Sequence, residues 1–228
     1  MERDQKLTED IIKLSSRIGI DIIGFADPEL YIRYKEEHRP SNYLNNAQTV
    51  IIIGIYLYDV ILDAWSRDQM TDKSFHYLDS ILESRAHKIK DFLIEKGYNS
   101  RIISYSPGLF LKDSAALAGL GPIGKNNLFI SKKFGSQVRL RAIVTEAPLL
   151  TGIPNENSEY CKDCNICFSK CPADALTDEG YNRQACESYC LSNLRKLSDY
   201  TSIWCNICIA ACPHSKKGEL SNIKGHFD

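Results

Sequence analysis

The first 160 residues of this 228-residue chain contain no cysteine, and the whole chain has only two methionines and five histidines. Without cysteine, this part of the chain can form neither a disulfide bond nor a thiolate metal site. The histidines are scattered and show no metal-ligand spacing, so none is assigned as a ligand. Thiolate chemistry is therefore confined to the last third of the chain.

The sequence also lacks a surplus of positive charge. Its 28 Lys and Arg residues are balanced by 29 Asp and Glu residues, which leaves a net charge of -1. Proteins that bind nucleic acid neutralise phosphates and are usually basic. The charge therefore disfavours a nucleic-acid binder, although a local basic patch remains compatible with it.

Long hydrophobic runs are missing as well. The most apolar stretch, Val50 to Leu62, is interrupted by Asp59 and is shorter than the roughly 20 residues that a membrane helix needs. The first six residues lack the apolar stretch of a signal peptide. We therefore predict a cytoplasmic protein without membrane association.

Helical and strand patterns alternate before the cysteines. Apolar residues at helical spacing predict helices, β-branched runs predict strands, and Gly or Pro marks the ends. The predicted helices cover 7–18, 75–96 and 112–117, and the predicted strands cover 20–26, 50–56, 101–105 and 138–145. This mixture predicts an α+β fold, with an α/β domain at 1–150, a linker near 148–158, a cysteine-rich domain at 156–215 and a polar tail at 216–228.

All nine cysteines lie between Cys161 and Cys212, and one motif occurs there twice, 41 residues apart. The copies are Cys164-Asn-Ile-Cys167 followed by Cys171-Pro172, and Cys205-Asn-Ile-Cys208 followed by Cys212-Pro213. Two copies of one binding half are typical of the pseudo-twofold bacterial ferredoxins that carry two 4Fe–4S clusters.

The spacing from Cys161 to Pro172 matches the bacterial ferredoxin run, in which three cysteines bind one cluster and the fourth binds the other. A zinc site is the alternative. It would need four tetrahedral ligands and would leave the fifth to ninth cysteines, and the Cys-Pro endings, without a role.

The second copy is incomplete, because Ser202 stands where the counterpart of Cys161 is expected. Cys186 and Cys190 are the available replacements, and their spacing places both on one face of a helix if the segment is helical. We predict one cluster on Cys161, Cys164, Cys167 and Cys212, and the other on Cys171, Cys186, Cys205 and Cys208. Cys190 is then a small buried residue beside the cluster.

Two further features carry a resemblance to a known family. They are the segment from Lys112 to Lys125, which ends Ala-Gly-Leu-Gly-Pro-Ile-Gly-Lys, and the displaced cysteine in Cys186-x-Ser-Tyr189. With Gly135-Ser136, they resemble the epoxyqueuosine reductases, cobalamin-dependent iron–sulfur enzymes of queuosine tRNA modification. The segment from Phe134 to Leu149 is similar to the related reductive dehalogenases.

The resemblance implies a nitroreductase-like α/β domain that binds cobalamin, followed by a ferredoxin-like module with two 4Fe–4S clusters. It implies that Gly119, Gly121 and Gly124 let the backbone approach the corrin ring, and that Lys125 pairs with an anionic corrin group. The alternatives are a helix stop and turn for the glycines, and a solvated surface side chain for the lysine.

The chain departs from the family pattern at the proton donor. The epoxyqueuosine reductases have an aspartate followed by Thr-Gly-Pro, whereas this chain has Tyr105-Ser-Pro-Gly108 at the ungapped position. Reductive dehalogenases use a tyrosine, so we predict Tyr105 as the catalytic acid, with Asp113 as the next candidate. Alternatively, Tyr105 is a strand-end tyrosine that fills an edge of the core.

These features together predict an oxidoreductase that passes electrons through two clusters to a corrinoid and then to an organic substrate. The expected partners are a low-potential donor, such as a ferredoxin or flavodoxin, and a small organic substrate or corrinoid. The helical repeats of the tRNA enzymes have no counterpart after Pro213, so tRNA is disfavoured but stays among the alternatives. Two other hypotheses are an electron-transfer or corrinoid-activating protein without substrate chemistry, and a domain that binds flavin or nothing.

Overall fold

The computed structural model describes residues 2–67, 74–155 and 157–215; the polar tail predicted at 216–228 lies outside them. The helices are α1 (Gln5–Arg17), α2 (Tyr77–Glu95), α3 (Leu111–Leu117), α4 (Ile166–Lys170), α5 (Arg183–Ser192) and α6 (Ile207–Ala211). The strands are β1 (Ile22–Ala26), β2 (Thr49–Tyr56), β3 (Trp65–Arg67), β4 (Ser74–His76), β5 (Ser100–Ile102), β6 (Val138–Thr145), β7 (Leu176–Thr177), β8 (Gly180–Tyr181), β9 (Arg195–Lys196) and β10 (Thr201–Ile203). The predicted mixture of helix and sheet is confirmed.

Helix α1 follows from local sequence signals. The backbone N–H of Leu7 donates to the Asp4 carboxylate at 2.8 Å, which caps the first turn. Leu7 and Ile11 face the core, and the chain leaves the helix through Gly19, whose φ of +79° suits a residue without a side chain. The helix predicted at 7–18 is confirmed within the usual uncertainty of its ends.

The central sheet has the order β1-β2-β6-β5, and all its pairings are antiparallel. Strand β2 pairs with β6 along its whole length, from Thr49 opposite Thr145 to Tyr56 opposite Val138. Its side chains alternate between two cores: Ile51 and Ile53 belong to the cluster formed with α1 and α2, and Val50 and Ile52 to the cluster formed with α3. The prediction of a strand covered on both faces is confirmed.

Strand β5 is shorter than the strand predicted at 101–105. The backbone N–H of Ile103 still donates to the Ala142 carbonyl at 3.0 Å, but the chain then turns away from the sheet. Tyr105 consequently lies in the loop that follows β5 and not at the end of a strand.

A second sheet, of order β4-β3-β10-β9, joins the cysteine-rich part to the rest of the chain. Strand β10 pairs with β3, so that Thr201 lies opposite Ser66 and Ser202 opposite Trp65. The Trp65 ring also lies 5.8 Å from the Trp204 ring, measured between centroids. Among the described residues, no helix has the length and apolar character needed to cross a membrane.

Candidate metal centre and its surroundings

The cysteine motif is repeated in the backbone as well as in the sequence. Asn165 and Asn206 precede α4 and α6 with nearly identical dihedral angles, φ -125° and ψ 20° for the first and φ -125° and ψ 16° for the second. Cys171 and Cys212 end these helices in extended conformations and precede the two prolines. Each copy is thus a loop, a single helical turn and a cysteine, as the spacing requires.

One cavity gathers the four cysteines predicted for the first cluster. Its lining includes Cys161, Cys164, Cys167 and Cys212. The rings of Tyr160 and His214 close one side, with their centroids 4.6 Å apart. Three cysteines of the first motif and the last cysteine of the second motif therefore meet in space, although Cys212 lies far from them in the sequence.

A second cavity, of about 240 Å³, gathers the cysteines predicted for the other cluster. Its lining includes Cys171, Cys186, Cys190, Cys205 and Cys208. The segment that carries Cys186 and Cys190 is helical, which meets the condition for both to lie on one face, and both line the cavity. Cys190 is buried and lines the same cavity. It is therefore a fifth thiol that could bind the second cluster. Ser202, which replaces the missing cysteine, lies in β10 and does not line this cavity.

Three thiols in these cavities, those of Cys167, Cys190 and Cys208, have a raised pKa. Burial first, and then the charges of the neighbouring Cys205 and Cys186, raise the pKa of Cys208 to about 12. Burial likewise raises the pKa of Cys190 to about 11 and raises that of Cys167. A positively charged iron core reverses this effect and stabilises thiolates.

The donor set fits iron–sulfur chemistry. A 4Fe–4S cluster requires four soft thiolates, and four cysteines line the first cavity and five the second. The part of the chain that the structure describes contains no group of three or more His, Cys, Asp or Glu side chains placed to hold a single metal ion. The assignment of each cysteine to a cluster stays a prediction.

Asn126 lines both cysteine cavities, a position that no sequence pattern indicated. The residue is buried, its side-chain amide donates to the Ser136 hydroxyl at 3.3 Å, and its side-chain oxygen accepts from the backbone N–H of Leu128 at 3.2 Å. The turn that follows the glycine segment therefore forms a wall between the two cavities.

The glycines of the segment are accounted for by contacts within the chain. Gly119 has φ +74°, and a Cβ there would lie 2.6 Å from the Ile153 carbonyl oxygen. Gly121 has φ +154°, and its Cβ would collide with the Ile130 carbonyl oxygen, while that of Gly124 would meet the Ile130 side chain. Approach of these glycines to a corrin ring stays a prediction.

Tyr105 belongs to a charged network. Its hydroxyl donates to the Asp79 carboxylate at 2.7 Å, and Arg139 binds the same carboxylate with two nitrogens, at 2.7 and 2.8 Å. Arg139 also contacts Asp63 at 3.2 Å, and Asp63 lines the second cysteine cavity. Burial, then the negative charge of Asp79, raises the pKa of Tyr105 to about 12.

The other predicted residues lie elsewhere. Asp113 is in the first turn of α3, where it accepts from the Tyr34 hydroxyl at 3.4 Å, and it is not part of the Tyr105 network. The Lys125 ammonium donates to the Asn165 side-chain oxygen at 2.7 Å, within the first cysteine loop. The residues predicted as catalytic thus do not converge on one described site.

Comparison with known proteins identifies relatives of two kinds. The epoxyqueuosine reductase of Lactococcus garvieae is 29% identical, with 98% of this chain and 72% of the relative covered. That of Listeria monocytogenes is 27% identical, with 92% and 65% covered, so the chain spans about two thirds of the length of these relatives. The tetrachloroethene reductive dehalogenase of Dehalobacter restrictus is 28% identical over 78% of this chain and 31% of its own length. No protein-family model matches the chain.

Solved structures of both kinds share the fold. The epoxyqueuosine reductase of Bacillus subtilis, with its catalytic loop swung out of the active site, superposes with a TM-score of 0.71 at 22% identity over 92% of this chain and 66% of its own. A reductive dehalogenase described with a mechanism for B12-dependent dehalogenation gives 0.67 at 17% identity over 90% and 31%. The resemblance predicted from the sequence is confirmed. Both family names denote oxidoreductases, which is the predicted enzyme class.

Proposed function

We propose that this chain is an iron–sulfur reductase similar to epoxyqueuosine reductase. The observation that carries the proposal is the division of the cysteines between two cavities. In this proposal, Cys161, Cys164, Cys167 and Cys212 hold one 4Fe–4S cluster, and Cys171, Cys186, Cys205 and Cys208 hold the other.

The residues that line the two cavities would keep the clusters close to each other and partly screened from solvent. A bound 4Fe–4S cluster supplies one-electron transfer at low potential. The two cavities have Asn126 as a common wall residue, which supports electron transfer from one cluster to the next. Cys164 is only partly buried, which leaves room for an external donor to approach. We propose a low-potential donor such as a ferredoxin or flavodoxin.

The finer architecture belongs to the same proposal. Residues 1–150 would form a nitroreductase-like domain, and residues 156–215 a ferredoxin-like module. The matching backbone of α4 and α6, which pack against each other, supports the second assignment.

A corrinoid enters the proposal through the relatives alone. A dehalogenase of the same fold is described as B12-dependent. Gly119, Gly121 and Gly124 lie against other atoms of this chain, so contacts within the chain already explain the need for glycine at these positions.

Tyr105 is the proposed proton donor to an organic substrate. Its raised pKa keeps the hydroxyl protonated at neutral pH, and the Asp79 carboxylate and the Leu140 carbonyl, at 2.7 and 3.1 Å, hold the hydroxyl in place. Asp113 is the second candidate. A relative of this fold was solved with an epoxyqueuosine-modified tRNA stem loop. The net charge of -1 leads us to propose a small organic substrate ahead of tRNA.

Anaerobic reconstitution tests the proposal. The protein is loaded with iron, sulfide and hydroxocobalamin and desalted, and the bound iron, acid-labile sulfide and cobalt are measured. We expect about eight irons and one cobalt per chain. About eight irons without cobalt would favour an electron-transfer protein, and fewer than about four irons would reject the two-cluster assignment.

A further inference from the structure

The side chain of Lys125 spans from the glycine segment to the first cysteine loop. Its ammonium donates to the Asn165 side-chain oxygen at 2.7 Å. Asn165 lies between Cys164 and Cys167, two of the cysteines that line the first cavity. Through this partner, Lys125 is linked to a residue that directly follows Cys164 and lies two positions before Cys167.

The hydrogen bond between Lys125 and Asn165 restrains the first cysteine loop and holds the lysine's positive charge beside it. Asn165 precedes α4, but its side chain makes no capping hydrogen bond, so its carboxamide oxygen accepts from Lys125 instead of from the helix. The same ammonium lies 5.8 Å from the centroid of the Phe168 ring, in α4. The following residue, Asn126, lines the first cavity. Two neighbours thus hold the positive charge beside this loop.

We propose that Lys125 is a positioning residue that holds the Cys164–Cys167 loop and raises the reduction potential of the first cluster. Cluster potentials respond to net charge, hydrogen bonding and solvent exposure. Reduction adds a negative charge to a cluster already held by thiolates, and a nearby ammonium stabilises the reduced form more than the oxidised form. This inference rests on the proposed cluster in this cavity.

The experiment separates the charge of Lys125 from its hydrogen bond. Lys125→Met removes both, Lys125→Arg keeps a charge and donors, and Asn165→Ala removes the acceptor but keeps the lysine. Lys88→Met is the matched control, because it removes the same charge from the exposed face of α2. Each reconstituted protein is assayed for iron, and both cluster potentials are measured by an anaerobic redox titration followed by electron paramagnetic resonance.

We expect Lys125→Met to make one of the two potentials more negative and to leave the other unchanged. Lys125→Arg should restore much of the potential, Asn165→Ala should give a smaller negative shift, and Lys88→Met should give none. The shift should shrink at high salt, because the lysine is only partly buried.

Unchanged potentials in Lys125→Met, with about eight irons bound, would overturn this inference and leave the proposed function intact. Wild-type protein without clusters would reject both. Should Lys125→Met fail to retain iron, Asn165→Ala decides, since an unshifted potential in that variant removes the role of the contact.

Discussion

The sheet region, up to Leu149, and the cysteine region, from residue 157 to 215, are ordered in different ways. Both apolar clusters consist of residues from the sheet region. The buried apolar residues of the cysteine region are few, and two of them are cysteines: Cys167, Ala175, Leu176, Cys190 and Ile203. Its strands are two or three residues long. The sheet region is stabilised by apolar burial, whereas the cysteine region would depend, in the proposed function, on bonds to its clusters.

Removal of iron should produce the largest difference in stability between the two regions. We expect chelation of the reconstituted protein to abolish amide hydrogen-exchange protection in α4, α5 and α6, because little apolar burial holds them. Amides of β2 and β6 should stay protected. Mass spectrometry of the exchanged peptides measures both regions at once, and equal loss in the two would show that they are stabilised as one unit.

Exchange of single cysteines tests the fifth thiol of the second cavity. We expect Cys186→Ser to lose about four of about eight irons, since one cluster is left with three thiolates. Cys190→Ser should keep the full iron content. The reverse result would make Cys190 the ligand, and full iron in both variants would mean that either thiol completes the cluster.

A core substitution tests whether apolar burial stabilises the sheet region. Leu82 is fully buried between α2 and the central sheet. Leu82→Ala should lower the free energy of unfolding of the sheet region by about 2 to 5 kcal/mol. Ile94→Ala, at a half-exposed position of the same helix, should change it by less than about 0.5 kcal/mol. Chemical denaturation followed by circular dichroism measures both, and iron content should remain at the wild-type level in each.

Loss of the ion pair between Asp79 and Arg139 should have the smallest effect on the free energy of unfolding. Burial alone would raise the pKa of Asp79, but hydrogen bonds and charge from Arg139 hold it below its usual range. A depressed pKa contributes stability above the unfolded-state pKa of about 4, and that stability is lost as the pH falls. Asp79→Asn should cost about 1.5 to 3 kcal/mol at pH 7 and less at pH 3. A cost independent of pH, measured by denaturation, would contradict this assignment.

Much of the fold follows from local patterns. The apolar spacing in α1, α2 and β2 is a property of neighbouring residues, and the structure has these elements where the patterns predict them. The two cysteine loops are equally local, because each is defined by a short spacing and a proline. The grouping of Cys212 with the first motif was predictable because the repeat itself implies a pseudo-twofold exchange of ligands.

The sequence by itself determined the main helices and strands of the sheet region, the cysteine loops and the resemblance to the two reductase families. Tertiary structure decided which partners the remaining polar residues have: Asp79 and Arg139 for Tyr105, Asn165 for Lys125, and the second cavity for Cys190. These partners lie far apart along the chain or on different elements. A periodic pattern reports which face of an element is buried, but it carries no record of which distant side chain packs against that face.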